Sequence, residues 1–205
     1  MFVPRPDAAQ SDDECWSFVR AQGFGQLIAP GHGRDLPVVV PTQFVTPHDG
    51  TVVLHLAAPN PVWEALTERP RALLSVAGDW AYIPTSWKAV GDEDPQLGIP
   101  TTYYAAVQLA GDAAIVDDDA GKLAILRTQL GALQPDIDAA DPEAHTARLG
   151  GIRGLRLTVT DVRAKFKFGG NVDAAHRRAV AARLSERGGP GDAAARGHLL
   201  RRLRA

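Results

Sequence analysis

Apolar residues in this chain come in short β-branched runs, each closed by a turn signal, and the runs are not interleaved regularly with helices. Residues 26–29, 38–45, 51–57, 72–76, 80–83, 101–116 and 155–162 read as strands. The segment 46–50, with Pro47, Asp49 and Gly50, predicts a hairpin between the second and third runs. Pro41 lacks the amide a central strand needs, so its run belongs at a sheet edge or a bulge. Gly78-Asp79 predicts a turn separating two strands, and Gly111 an interruption of the 101–116 run. Four helices are predicted between these runs. One starts at the capping box Ser11-Asp12-Asp13-Glu14, one at Asn60-Pro61, one spans 117–133 with Leu123, Leu126, Leu130 and Leu133 on one side, and one spans 171–187. This pattern predicts a β-rich α+β fold, an antiparallel barrel or sandwich with peripheral helices, and disfavours a doubly wound parallel sheet.

At 205 residues the chain is long enough for one core, predicted over 1–187, with a basic tail at 188–205 hinged at Gly188-Gly189-Pro190-Gly191. The single cysteine, Cys15, excludes an internal disulfide framework. No apolar stretch reaches the ~18 residues of a membrane span, and the first ten residues hold Pro4, Pro6 and Asp7 rather than a signal-peptide apolar run. A cytoplasmic protein without membrane contact is expected. The net charge of −2 conceals an asymmetry. Residues 163–205 hold eleven lysines and arginines against Asp173, Glu186 and Asp192. Such an end suits a phosphate, a nucleic acid or an acidic face of a second subunit, and a solvated arginine-rich helix has the same composition.

Familiar phosphate and metal motifs are missing. There is no GxxxxGK[ST], and Gly23-x-Gly25 and Gly31-x-Gly33 lack the third glycine of a dinucleotide fingerprint. The six histidines form no HxH or HxxxH pair, so no metal is predicted. Asp117-Asp118-Asp119 reads as a helix cap. Three segments carry more. His55-Leu56-Ala57-Ala58-Pro59-Asn60-Pro61 runs a strand end into a helix start. Trp80 to Lys88 gathers two indoles, a phenol and a hydroxyl around Pro84, a surface suited to an aromatic ligand. In Lys165-Phe166-Lys167-Phe168-Gly169-Gly170-Asn171 the alternation places both lysines on one face, a plausible phosphate cradle; an edge strand guarded by lysines has the same pattern. Leu155, Leu157 and Val159 would share that face in one unbroken strand, so a bulge or break near Arg163-Ala164 is expected.

In this order the segments resemble the PaiB family of FMN-binding negative transcriptional regulators. The matching pieces are Gly23-Phe24-Gly25, His55-Leu-Ala-x-x-Asn60-Pro61, Tyr82-Ile83-Pro84-x-Ser86-Trp87, Pro100-Thr101-x-x-Tyr104, and Lys165-Phe-Lys167 followed by Asn171. The resemblance implies a split antiparallel β-barrel with peripheral helices, FMN as cofactor, and a homodimer. It implies His55 and Asn60 as polar contacts near the phosphate or ribityl chain, Ser86, Trp87 and Tyr104 around the ring, and Thr101 and Asn171 as further cofactor-binding positions. Lys165 and Lys167 become partners of the phosphate or ring carbonyls. The chain departs from the family pattern at Thr85, at Lys88 (an aromatic is usual), at Thr102-Tyr103 (usually Trp-Asn) and at Gly169-Gly170 (usually Ser-Gln). A long acidic stretch, 91–98, sits where a ligand could enter. No general base stands out, so no catalytic residue is assigned. A PaiB-type regulator is one reading, and a small FMN-dependent oxidoreductase working with a nicotinamide or other reductant is the alternative. Nucleic-acid binding is not supported by a helix-turn-helix; Arg177, Arg178, Arg183 and Arg187 are its only candidates.

Overall fold

The computed structural model describes residues 1–89, 93–134 and 141–203. The elements in chain order are α1 (Asp12–Gln22), β1 (Phe24–Ala29), β2 (Val38–Gln43), β3 (Val45–His48), β4 (Thr51–Ala57), α2 (Val62–Glu68), β5 (Arg71–Ile83) and α3 (Thr85–Lys88). There follow β6 (Thr101–Val116), α4 (Asp119–Leu133), β7 (Ile152–Lys167), α5 (Ala174–Arg187) and α6 (Asp192–Arg201). The strands form one sheet in the order β2-β1-β5-β6-β7-β4-β3. β2 and β3 are its free edges, so the barrel is split rather than closed.

Local chemistry sets most boundaries. Ser11 Oγ accepts from the Glu14 amide, as the capping box predicts. Asp118 accepts from the Gly121 amide and starts α4. Asn60 Oδ1 accepts from the Val62 amide ahead of α2. Pro41 lies on β2, an edge strand, opposite Gln26.

Several expectations change. The predicted hairpin forms from β3 and β4 around Asp49-Gly50, while residues 38–43 leave it and pair antiparallel with β1. The break falls at Phe44, whose buried ring anchors the corner. β5 is one strand of 13 residues, because Asp79 adopts a left-handed φ of 53° inside it without ending it. β6 runs unbroken through Gly111, and a Cβ there would stand 2.0 Å from the Thr158 carbonyl oxygen. Glycine at 111 serves close strand approach, not a turn. β7 is also one strand, so no break ends it at Arg163-Ala164. Its burial parity changes instead across the exposed residues Thr160 to Arg163, so that Leu155 and Leu157 are buried early and Phe166 late. On α4 the buried side chains are Lys122, Ile125 and Gln129, and the predicted leucine stripe is only partly covered. Asp173, not Asn171, caps α5, accepting from the His176 amide.

The chain divides into two compact units. Unit one comprises Met1–Cys15, Ala77–Val107 and Ala164–Ala205. Its core holds Ile83, Tyr103, Phe166, Phe168, Val180, Leu184 and Leu199. The basic end is part of it: α6 packs on α5 through buried Ala195 and Leu199. Unit two comprises Trp16–Val76 and Gln108–Arg163, around Leu27, Leu54, Trp63, Leu66, Leu74, Leu109, Leu155 and Leu157. Among the described residues no helix is long and apolar enough to cross a membrane.

Candidate functional site

Unit one carries a cleft of about 410 Å³. Alternation along β6 turns Thr101 and Tyr103 to the same side, and both line it. Lys167 at the end of β7, with Asn171 and Val172 beyond, forms one wall. Lys88, the last residue of α3, and the stretch containing Glu93, Leu97 and Ile99 form the rest. Gly98 is buried between them: a Cβ there would stand 2.2 Å from the Thr85 carbonyl oxygen, so the chain closes tightly on α3. Leu97 and Ile99, on either side of Gly98, are largely exposed apolar residues of the lining. Residues 90–92, including Gly91 and Asp92 of the acidic stretch, lie outside the described residues.

The electrostatics of the cleft are cationic. Lys167 Nζ donates to Thr101 Oγ1 at 2.5 Å. Lys88 Nζ lies 5.8 Å from the centroid of the Tyr103 ring. Burial, and then the Lys167 charge, pull the Lys88 pKa below the ordinary lysine value. His176 is also harder to protonate, first because it is buried and then because of Lys88. Its Nε2 is buried with no hydrogen-bond partner among the described residues. Tyr103 is 2 % exposed, and its hydroxyl too has no partner there. Burial, with Asp7 adding to it, pushes the phenol up to about 12. The acid on the cleft wall is Glu93. Two ammonium groups in one half-buried cleft repel each other, and an anion entering between them removes that cost.

The residues singled out in the sequence disperse. Thr101, Lys167 and Asn171 meet in the cleft. Lys165 does not line it. Lys165 is 9 % exposed, its Nζ 3.7 Å from Asp7 Oδ2 and donating to the Phe2 carbonyl at 3.3 Å. The Tyr104 ring lies 5.7 Å from that ammonium. The N-terminal segment therefore claims Lys165, through an antiparallel bridge between Ala8 and Lys165. Ser86 lines a separate shallow depression with Tyr82, Pro84, Thr85, Pro95 and Gln96. Trp87 lies under the Arg187 guanidinium, 4.7 Å from its ring centroid. His55 and Asn60 belong to unit two, where His55 Nδ1 meets Gln129 Oε1 at 2.6 Å and Asn60 holds the start of α2. Lys88, Tyr103 and His176 were not assigned from the sequence. The signal at Lys88 and Tyr103 was their departure from the family pattern; nothing in the sequence marks His176.

An open seven-stranded antiparallel sheet flanked by helices defines a split-barrel fold, and unit one adds a cationic cleft to it. The family model described as "Putative FMN-binding domain" matches residues 1–161, and the chain belongs to that family, the PaiB family. A curated relative, "Protease synthase and sporulation protein PAI 2" of Bacillus subtilis (strain 168), is 26 % identical over 177 residues, covering 83 % of each chain. Two solved structures share the fold. The flavocytochrome Anf3 from Azotobacter vinelandii has a TM-score of 0.62 at 19 % identity, over 82 % of this chain and 73 % of that one. The FAD and heme binding protein from Mycobacterium smegmatis has a TM-score of 0.59 at 17 % identity, over 86 % and 80 %. The family's cofactor is FMN. The residues of the cleft fit it: two ammonium groups suit the phosphate, and Tyr103, Leu97 and Ile99 offer an apolar and aromatic lining.

Proposed function

We propose that the protein is a cytoplasmic FMN-binding homodimer acting as a negative transcriptional regulator of the PaiB type, with the anionic end of the flavin held in the unit-one cleft. The observation that carries the placement is the pair of cations on that cleft, one of them anchored on Thr101 and the other without a carboxylate partner among the described residues. Lys167 supplies a charge-assisted hydrogen bond, Thr101 orients it, and Asn171 adds an amide at the rim. Lys165 takes a supporting role: its ammonium ties the N-terminal segment to Tyr104. No part in this cleft is assigned to His55 or Asn60, whose hydrogen bonds lie within unit two. FMN, when bound, supplies reversible one- and two-electron chemistry.

The regulatory reading rests on family membership rather than on a DNA-reading surface. Of the four arginines that could have served one, Arg177 donates to the Arg202 carbonyl, Arg183 to the Ser86 carbonyl and Arg187 to Asp192. The test is the absorption spectrum of the purified protein, followed by anaerobic addition of NADH or NADPH. Flavin bands that persist on adding either nucleotide support regulation. Rapid bleaching selects the oxidoreductase alternative, and a colourless protein that takes up no added FMN overturns both.

A further inference from the structure

We propose that Lys88 and Lys167 form a clamp for a phosphomonoester dianion, and that Lys88 is the residue that makes the cleft prefer a phosphorylated ligand over its dephosphorylated counterpart. The flavin form of this proposal rests on the FMN reading of the same cleft.

The two ammonium groups enter from different elements, Lys88 from α3 and Lys167 from β7. Lys167 is pre-positioned by Thr101 Oγ1 at 2.5 Å. The Lys88 ammonium lies 5.8 Å from the centroid of the Tyr103 ring and within reach of the Lys167 charge, and among the described residues it makes no hydrogen bond or ion pair. A half-buried lysine left so is stabilised by an anion more than a solvated one would be. A phosphomonoester carries about two negative charges and three acceptor oxygens, enough for both ammonium groups at once, which a single carboxylate matches less well. Lys165 is not a third member, because Asp7 and the Phe2 carbonyl hold it. The lowered pKa of Lys88 agrees with this arrangement: phosphate should be lost as pH rises at values below those of an ordinary lysine.

The experiment uses the full chain with FMN, riboflavin and inorganic phosphate as probes. Flavin fluorescence titration gives the two flavin affinities, and phosphate is added as a competitor. The wild type should hold FMN at least about tenfold more tightly than riboflavin. Lys88→Met should bring that ratio to within about threefold by weakening FMN alone, and phosphate should cease to compete. Lys88→Arg, which keeps the charge, should restore most of the preference. A ratio unchanged in Lys88→Met overturns the proposal, and so does equal weakening of both flavins, which would make Lys88 a ring contact or a support for Tyr103. If the wild type binds neither flavin, the FMN reading fails and calorimetry with phosphate alone decides. Phosphate binding that disappears in Lys88→Met then sustains the clamp, and no phosphate binding overturns it.

Discussion

Tyr103 and Gly169 illustrate how one side chain dictates another. Gly169 has a left-handed φ of 68°, and a Cβ there would lie 2.8 Å from the Tyr103 hydroxyl; at Gly170 a Cβ would lie 2.0 Å from the Pro6 carbonyl oxygen. The chain departs from the family pattern at all three positions, and the structure explains the glycines by the space the tyrosine and the N-terminal segment occupy. Close approach also ranks two substitutions in unit two. Gly111→Ala sets a methyl against the Thr158 backbone, whereas Gly154→Ala meets mainly the movable Ile125 Cδ1, at 2.6 Å. Urea denaturation should show a loss of about 3 kcal/mol for the first and about 1 kcal/mol or less for the second, since overpacking is costly where neither partner can shift. In the cleft, Lys167→Met removes a charged donor while keeping its aliphatic stem. Affinity for FMN should fall roughly 10- to 100-fold at about 1.4 kcal/mol per decade, read by fluorescence titration. Unchanged affinity would place the phosphate elsewhere.

The helices α5 and α6 are joined by one carboxylate as well as by apolar burial. Asp192 is 1 % exposed and accepts from Arg187 Nε at 2.8 Å, from a second Arg187 nitrogen at 2.5 Å and from the Gly189 amide at 2.8 Å. Gly188 ends α5 in the left-handed conformation that lets the chain turn back. His198 ties α6 to β5 and to Phe168 beyond β7. Its Nε2 donates to Asp79 at 2.8 Å while Nδ1 accepts from Arg201 at 2.7 Å, and its ring stacks on Phe168 at 4.2 Å. The hydrogen bond from Arg187 holds the Asp192 pKa below the usual carboxylate range. A carboxyl whose folded pKa lies below its unfolded value adds stability above the unfolded value, near 3.9, and loses it as pH falls through the folded one. Asp192→Asn should therefore cost about 2–3 kcal/mol at pH 7, as a charged hydrogen bond in a buried site does. It should also flatten the acid limb of the melting temperature against pH between about 5 and 2. An unaltered acid limb would show that Asp192 is not the group responsible.

Across the whole molecule, the arginine-rich end is less available than its composition suggests. Arg177, Arg183, Arg187 and Arg202 all bond within unit one. The exposed apolar surface is the better guide to assembly. Trp80 and Tyr82, alternate residues on β5, are 58 % and 51 % exposed, a costly display for a lone chain. Light scattering at micromolar concentration should return twice the 21.8 kDa chain mass, and Trp80→Glu should shift the population toward monomer. A wild-type monomer would remove the homodimer from the proposed function.

The sequence by itself determined the β-rich class, the edge position of Pro41, the capping box of α1 and the family. These rest on local signals, periodicity and cap chemistry, that act over a few residues. It could not separate β2 from the hairpin, because strand partners are chosen by long-range pairing and residues 38–43 suit either neighbour. Nor could it recognise Gly111 as a contact point, because the clash that demands glycine comes from Thr158, far along the chain. The cleft shows the same division. Lys165 and Lys167 share a strand face by alternation, yet Asp7 withdraws one of them and Lys88 arrives from another element. Which cations face the same space is settled by tertiary packing, since the energy of a buried charge depends on neighbours that sequence spacing does not reveal.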